Sequence, residues 1–236
     1  AILCAAFSLG GAGPRVAVKD SIDIAGWPTR AGSAALADAL PATGHADVVA
    51  AVLAAGGHIV GKANMHELAF GVTGVNAYAG TALNPLFPDR VPGGSSSGSA
   101  AAVAAGIADI GLGTDTGGSV RVPACCCGVY GFKPTFGRVS RAGVMPQQTS
   151  LDCVGPFARD AAMLTQAMAM IDPTFTPVSL DAPPVLGRLD VSAAPEVAEA
   201  VDRALAEAAP VCRAVTIPGL EEAYAAGLAV INAETW

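Results

Sequence analysis

Two glycine- and serine-rich clusters and one lysine carry the side chains that could do chemistry. Residues 93–99 read Gly-Gly-Ser-Ser-Ser-Gly-Ser, and residues 113–119 read Gly-Thr-Asp-Thr-Gly-Gly-Ser. Lys19 ends the strand-like segment 15–19. A serine hydroxyl becomes a nucleophile when a base takes its proton, and a lysine of reference pKa ~10.4 can be that base once burial lowers its pKa toward ~7 to 8. The alternative interpretations are a flexible Gly/Ser linker at 93–99 and an ordinary exposed lysine.

Three other patterns suggest different chemistry, and each lacks a part that its function needs. Residues 56–62 nearly match a phosphate-binding P-loop, but Ala63 stands where a Ser or Thr hydroxyl should hold magnesium. The glycines of residues 111–117 are spaced differently from those of a dinucleotide-binding loop, and no suitable acidic residue follows them. Residues 94–98 match a Gly-x-Ser-x-Gly nucleophile elbow centred on Ser96, but the hydrolases with this elbow need a later histidine, and all three histidines precede it.

A fourth set of motifs resembles the amidase signature family. It combines Val-Ala-Val-Lys-Asp at 16–20 with the two serine clusters, extended to 93–100 and 113–124. Ser95 and Ser119 are 24 positions apart, as the paired serines of that family require. The likeness covers roughly residues 15–171 and includes the blocks 61–67, 128–135, 137–141 and 150–156.

The resemblance implies a role for each matching residue. Ser119 is the expected acyl-accepting nucleophile, Lys19 the base, and Ser95 a bridging serine that follows a cis peptide bond after Gly94. Backbone N–H groups around the nucleophile are expected to stabilise the oxyanion, and the glycines let the backbone approach the substrate closely. The expected oxyanion donors are Thr116, Gly117, Gly118 and Ser119.

Further residues are expected to support this site or to contact the substrate. The resemblance suggests that Asp115 and Arg121 pair to brace the nucleophile loop, with Ser96 also supporting it, while a carboxylate-binding role for Arg121 is the alternative. The apolar side chains expected in the substrate pocket are Met65, Phe70 and Met145. Ser97 replaces the more usual glycine, as in plant-type indole-acetamide hydrolases. These features favour a small, uncharged or aryl primary amide as substrate.

The leading prediction is therefore an amidohydrolase that works through an acyl-Ser119 intermediate without metal or organic cofactor. One alternative is the glutaminase subunit of a tRNA-dependent amidotransferase, although Cys153 stands where that subgroup should have glutamine. An alternative from another class is a non-catalytic nucleotide-binding module built on residues 56–62.

Composition excludes several classes of protein. A formal net charge of −7 argues against a nucleic-acid binder. With 52% hydrophobic and 14% charged residues, the chain is expected to fold around small aliphatic side chains. The longest apolar stretch, residues 100–108, is far shorter than the ~20 residues of a membrane-spanning helix. Residues 1–7 lack the flanks of a signal peptide, so we expect a cytoplasmic protein that does not bind membranes.

The cysteines carry no recognisable site. Of the six, Cys125, Cys126 and Cys127 are consecutive, and no spacing suits a metal ion, so we expect reduced, buried side chains. A role for the three consecutive cysteines does not follow from the sequence. Homodimer formation also stays open.

Alternating strand and helix patterns predict an α/β fold with a central twisted mixed sheet flanked by helices. We expect an amidase signature core over 1–171, a proline-rich connection over 172–184, and a continuation of the same α/β domain over 185–236. Because members of the family are much longer, the fold is expected to be incomplete at both ends. The predicted strands lie at 15–19 and 58–60, near 185–189 and at 211–217. The predicted helices lie at 47–55, 100–110 and 160–171, near 195–205 and at 220–236. A glycine-rich loop is predicted at 111–119.

Overall fold

A computed structural model describes residues 1–147, 149–208 and 211–234. The chain divides into two units, one of residues 1–175 with Glu234 and one of residues 176–233. The first unit contains the six strands β1 Leu3–Gly10, β2 Arg15–Lys19, β3 His58–Ala63, β4 Ile110–Asp115, β5 Tyr130–Gly131 and β6 Cys153–Ala158. Its helices are α1 Asp47–Ala54, α2 Ser97–Ala104, α3 Arg121–Cys127 and α4 Ala161–Ile171.

The six strands form one mixed sheet in the order β1-β3-β2-β4-β6-β5. The strand β2 runs parallel to both β3 and β4, whereas β1 is antiparallel to β3, and β6 is antiparallel to β4 and β5. The predicted α/β class with a mixed central sheet is thereby confirmed. Because β2 and β4 are parallel neighbours, their carboxyl ends lie at the same edge of the sheet.

Small aliphatic side chains fill the interior, as the composition predicts. Val16 and Val18 of β2 are fully buried, and burying a valine contributes about 1.5 kcal/mol or more to stability. Helix α2 is almost entirely buried along its length because its alanines, serines and glycine allow close packing. Ser99 of this helix donates a 2.8 Å hydrogen bond to the Leu112 carbonyl, which fastens α2 to β4.

The prediction of a loop from residue 111 onward was wrong for its first half. Residues 110–115 form β4, all of it buried, and the preceding helix begins at Ser97 and ends at Ala104. The glycines of β4, Gly111 and Gly113, allow other parts of the chain to pack closely against this strand. A Cβ atom on Gly113 would lie 2.6 Å from Ser96 Oγ and 2.8 Å from the Phe157 ring, so only glycine fits beneath α2.

Residues 3–7, for which no element was predicted, belong to the edge strand β1. Its burial alternates along the strand, as expected where one face is covered. Helices α1 and α4 were predicted to within one residue at each end.

The second unit contains strands β7 Leu186–Leu189 and β8 Cys212–Val215 and helix α5 Pro195–Ala208. It also contains helix α6 Leu220–Glu234 except for the last residue. Each was expected from the sequence. The strand β8 covers only Cys212–Val215 of the expected range 211–217, and the last two residues of the expected final helix lie outside the described residues. The two strands pair with each other in parallel. They make a sheet of their own. Among the described residues, no helix is long and apolar enough to cross a membrane.

Candidate active site

Lys19 is the last residue of β2 and is fully buried. Its Nζ atom lies 2.8 Å from Ser95 Oγ and 2.7 Å from Thr114 Oγ1. Burial lowers the pKa of Lys19 to about 7, against the charges of Asp152 and Asp115, which act to raise it. The structure therefore holds a lysine amine that is partly neutral at neutral pH and in contact with a serine hydroxyl.

The first serine cluster lies beside this amine, and helix α2 begins within the cluster at Ser97. The Gly94–Ser95 peptide bond is cis, and Ser95 is fully buried. Both geometric expectations, the cis bond and the contact between Lys19 and Ser95, are confirmed. Ser96 is also buried, and its hydroxyl exchanges hydrogen bonds with the backbone of Thr114 at 3.2 and 3.3 Å. Ser96 is thus fixed to β4, which disfavours it as a nucleophile.

The loop that follows β4 presents Ser119, whose residue surface is 8% exposed. The Ser96 N–H donates a 3.2 Å hydrogen bond to the Ser119 carbonyl, so the two serine clusters are joined through their backbones. The Ser119 hydroxyl donates to no acceptor within the described part of the chain. It is thus free to meet a ligand.

Asp115 fixes this loop from within. Its carboxylate accepts hydrogen bonds from the N–H groups of Gly118 at 2.8 Å and Val120 at 3.0 Å. It also accepts from Arg121, through Nε at 3.0 Å and Nη2 at 2.7 Å. Burial would raise the pKa of Asp115, but the hydrogen bonds from Arg121 and Val120 outweigh it, and the pKa is lowered. The expected pairing of Asp115 with Arg121 is present.

The expected set of oxyanion donors needs one correction. The N–H of Gly118 is already bound to Asp115, because the turn folds it back toward the buried carboxylate. The N–H groups of Thr116, Gly117 and Ser119 have no protein acceptor among residues 1–147, 149–208 and 211–234. Three of the four expected donors therefore remain available.

Comparisons with known proteins identify the family of this chain. A protein-family model described as Amidase matches residues 12–206. The chain belongs to the amidase family. The relatives of this amidase-family chain include a subunit of the glutamyl-tRNA(Gln) amidotransferase from Deinococcus radiodurans, 52% identical over 176 residues, and Amidase 1 from rice, 45% identical over 184 residues. The matches cover 73% and 74% of this chain but 36% and 42% of those relatives.

Solved structures of amidase-family proteins share the fold. The corresponding glutamyl-tRNA(Gln) amidotransferase subunit from Thermotoga maritima superposes with a TM-score of 0.84 at 32% identity, covering 99% of this chain and 59% of that one. A protein from a complex related to an s-triazine catabolic enzyme gives a TM-score of 0.85 at 36% identity, covering 94% of this chain and 53% of that one. The chain thus spans about half the length of these solved relatives.

The three residues expected in the substrate pocket differ in burial in this amidase-family chain. Met65 is fully buried, and its carbonyl accepts a 2.9 Å hydrogen bond from the Asn76 amide. Phe70 is half-exposed in the loop after β3. Met145 lies in the wall of a cavity of about 470 Å³. The other residues of this wall are Asp23, Thr29, Leu40, Ala42, Gly143, Val144, Pro146 and Gln147.

The segment considered as a phosphate loop is a strand in this amidase-family chain. Residues 58–63 form β3, and Lys62 is buried in it, with Nζ 2.7 Å from the Ile22 carbonyl and 3.2 Å from Asp20 Oδ1. Its amine is therefore held inside the protein. Over the described residues, no group of three or more His, Cys, Asp or Glu side chains is placed to hold a metal ion.

Sequence reasoning missed two residues of this amidase-family site. Thr114, which contacts Lys19, stands in a glycine-rich block that was predicted to be a loop. Asp152 accepts a hydrogen bond from the Thr116 hydroxyl, and the sequence motif 150–156 gave it no role. The signal that could have found Thr114 is its position one residue before Asp115, at the end of a buried strand.

Proposed function

We propose that this chain carries the reactive centre of an amide-hydrolysing enzyme, with Ser119 as nucleophile, Ser95 as proton bridge and Lys19 as base. The observation that carries the proposal is the fully buried Lys19 amine 2.8 Å from Ser95 Oγ. A lysine is seldom buried without a function or a charge partner, and here it contacts two hydroxyls. The lowered pKa of about 7 supports the proposal because the neutral amine can accept a proton.

In the proposed reaction, Lys19 takes the Ser95 proton while Ser95 takes the proton of Ser119. The Ser119 oxygen attacks the amide carbon, and the carbonyl oxygen becomes an oxyanion that accepts hydrogen bonds from the loop N–H groups. Ser95 then returns a proton to the departing nitrogen, the C–N bond breaks, and an acyl-Ser119 ester remains. A water molecule, deprotonated by the same relay, attacks the ester and releases the carboxylic acid. Each donor of this kind contributes about 2.7 to 4 kcal/mol to lowering the barrier.

A small, uncharged or aryl primary amide remains the proposed substrate, with Phe70 and Met145 as apolar candidates. A second candidate is the glutaminase of a tRNA-dependent amidotransferase, favoured by the 52% identity with the glutamyl-tRNA(Gln) amidotransferase subunit from Deinococcus radiodurans. The second candidate requires a partner protein that uses the released ammonia. A panel containing indole-acetamide, benzamide, malonamate and glutamine separates the two, since preferred turnover of glutamine and copurification of a partner would replace the aryl amide.

The experiment that tests the proposed chemistry is labelling of the protein with a fluorophosphonate, followed by mapping of the adduct. The expected result is a single adduct on Ser119, lost in Ser119→Ala and slowed by several orders of magnitude in Lys19→Ala and Ser95→Ala. Ser8→Ala, on the edge strand β1, is the control. An adduct on Ser96 or Ser97 with Ser119 unmodified would contradict the assignment.

A further inference from the structure

A second carboxylate reaches the nucleophile loop from the neighbouring strand. The antiparallel register of β4 and β6 pairs Asp115 with Cys153, so Asp152 lies one step further along, beside Thr116. Asp152 is buried, and its Oδ1 atom accepts the hydrogen bond of the Thr116 hydroxyl. Because the two residues are 36 positions apart in sequence, it is the fold that brings them into contact.

Arg141 fixes this carboxylate from the other side. Its Nη2 atom lies 3.3 Å from Asp152 Oδ2 and 2.5 Å from the Pro146 carbonyl, and the Arg141 and Asp152 side chains are 13% and 7% exposed. A buried, hydrogen-bonded ion pair of this kind restricts the orientation of both partners. Thr116 is therefore attached through Asp152 to a residue whose own position is fixed.

We propose that Asp152 is a positioning residue of the reactive centre, holding the Thr116 end of the oxyanion loop while Asp115 holds the Gly118 end. The inference rests on the proposed function. The two carboxylates would keep the N–H groups of Thr116, Gly117 and Ser119 aimed at one point. This matters because a displacement of about 1 Å in a reacting geometry can reduce the rate about 10²-fold.

Asp152 also acts on the base through its charge. Asp152 and Asp115 are the acidic groups whose charges raise the pKa of Lys19 against the effect of burial. Among the described residues, His66 also responds to the charge of Lys19. Burial lowers the pKa of this half-buried imidazole, the charge of Glu67 acts to raise it, and the charge of Lys19 lowers it further. Removing the negative charge of Asp152 is therefore expected to lower the pKa of Lys19 further.

The test compares Asp152→Asn, Thr116→Val, their double variant and Thr116→Ser, using the rate of fluorophosphonate reaction at Ser119 as a function of pH. Asp152→Asn and Thr116→Val should each slow the reaction about 10- to 100-fold. The double variant should be no slower than the slower single variant, since both act through one contact. Thr116→Ser, which keeps the hydroxyl, should react within about threefold of the unchanged protein.

The pH profile separates positioning from a general loss of structure. Asp152→Asn should move the midpoint of the profile to lower pH, whereas Thr116→Val should leave it in place. Asp172→Asn, which removes a buried carboxylate paired with Arg138 after α4, is the matched control and should change neither rate nor midpoint. Circular dichroism of each variant checks that it folds.

Three outcomes would each overturn the role of Asp152. The first is a normal rate in both single variants, and the second is a rate loss in the double variant equal to the product of the two single losses. The third is an unchanged midpoint of the pH profile in Asp152→Asn. These outcomes differ from a failure of the proposed function. In that case the unchanged protein itself would not react at Ser119.

Discussion

The Lys19 amine donates a 2.7 Å hydrogen bond to Oγ1 of Thr114, across the parallel pair of strands β2 and β4. A neutral amine has two N–H donors and one lone pair. With one N–H held by Thr114, the lone pair can face the Ser95 hydroxyl, 2.8 Å away. The threonine would thus orient the base before a substrate arrives.

The first prediction concerns pH. Because the neutral form of Lys19 is the proposed base and its pKa is about 7, the rate of reaction at Ser119 should rise about tenfold per pH unit below pH 7 and level off above it. Lys19→Met should lose this dependence together with several orders of magnitude in rate. The profile is measured by fluorophosphonate labelling, with Lys133→Met as the control. A flat profile in the unchanged protein would exclude Lys19 as the base.

The second prediction tests the orientation of the base. Thr114→Val removes the acceptor of the Lys19 hydrogen bond and should slow acylation of Ser119 about tenfold or more, because the amine is then free to turn. Thr114→Ser keeps the acceptor and should retain most of the rate. The control is Thr165→Val on helix α4, whose hydroxyl donates only to the Ala161 carbonyl. Equal rates in the Val and Ser variants of Thr114 would rule out the orienting role.

The third prediction concerns Asp115, which is fully buried and accepts hydrogen bonds from both backbone and Arg121. Asp115→Asn cannot accept all of these bonds, so the free energy of unfolding should fall by about 1.5 to 3 kcal/mol. Denaturation in urea measures this change. Asp109→Asn is the control, since its pair with the 43% exposed Arg15 is worth about 1 kcal/mol or less. Similar losses in the two variants would contradict the bracing role of Asp115.

The fourth prediction concerns Gly118, whose φ angle is +135°. An alanine there would adopt a backbone conformation that side chains disfavour, with its Cβ 3.0 Å from Val122. Gly118→Ala should therefore destabilise the protein by about 1 to 3 kcal/mol and slow acylation of Ser119. Gly44→Ala meets no atom within 4 Å and should be neutral or slightly stabilising. Urea denaturation compares the two, and equal stability would contradict the strain argument.

Local patterns predicted much of the fold and of this site. The helical apolar periods located α1 and α4 well, because only one side of each helix is buried. The short apolar run 16–18 located β2, whose residues are buried from Val16 to Lys19. Glycine density misled the prediction at Gly111 and Gly113, where the missing side chains make room for α2 and Phe157. A rule that assigns glycines to loops cannot detect such packing between distant segments.

Contacts that depend on strand register could not be predicted from the sequence alone. Thr114 reaches Lys19 across 95 positions, and Asp152 reaches Thr116 across 36, so neither contact leaves a local signal. Met65 was expected beside the substrate because it is apolar and close to a family motif. In the structure its side chain is fully buried.

The position of β4 between β2 and β6 has a consequence for how the protein loses its activity on heating. The backbone amides of β4 are protected on both edges by paired strands and on one face by α2, so their hydrogen exchange should be among the slowest in the first unit. The nucleophile loop follows β4 directly in the chain, and Lys19 is hydrogen-bonded to Thr114 of this strand. Exchange of these amides and inactivation should therefore share one cooperative unfolding event, with no earlier, local opening of the site.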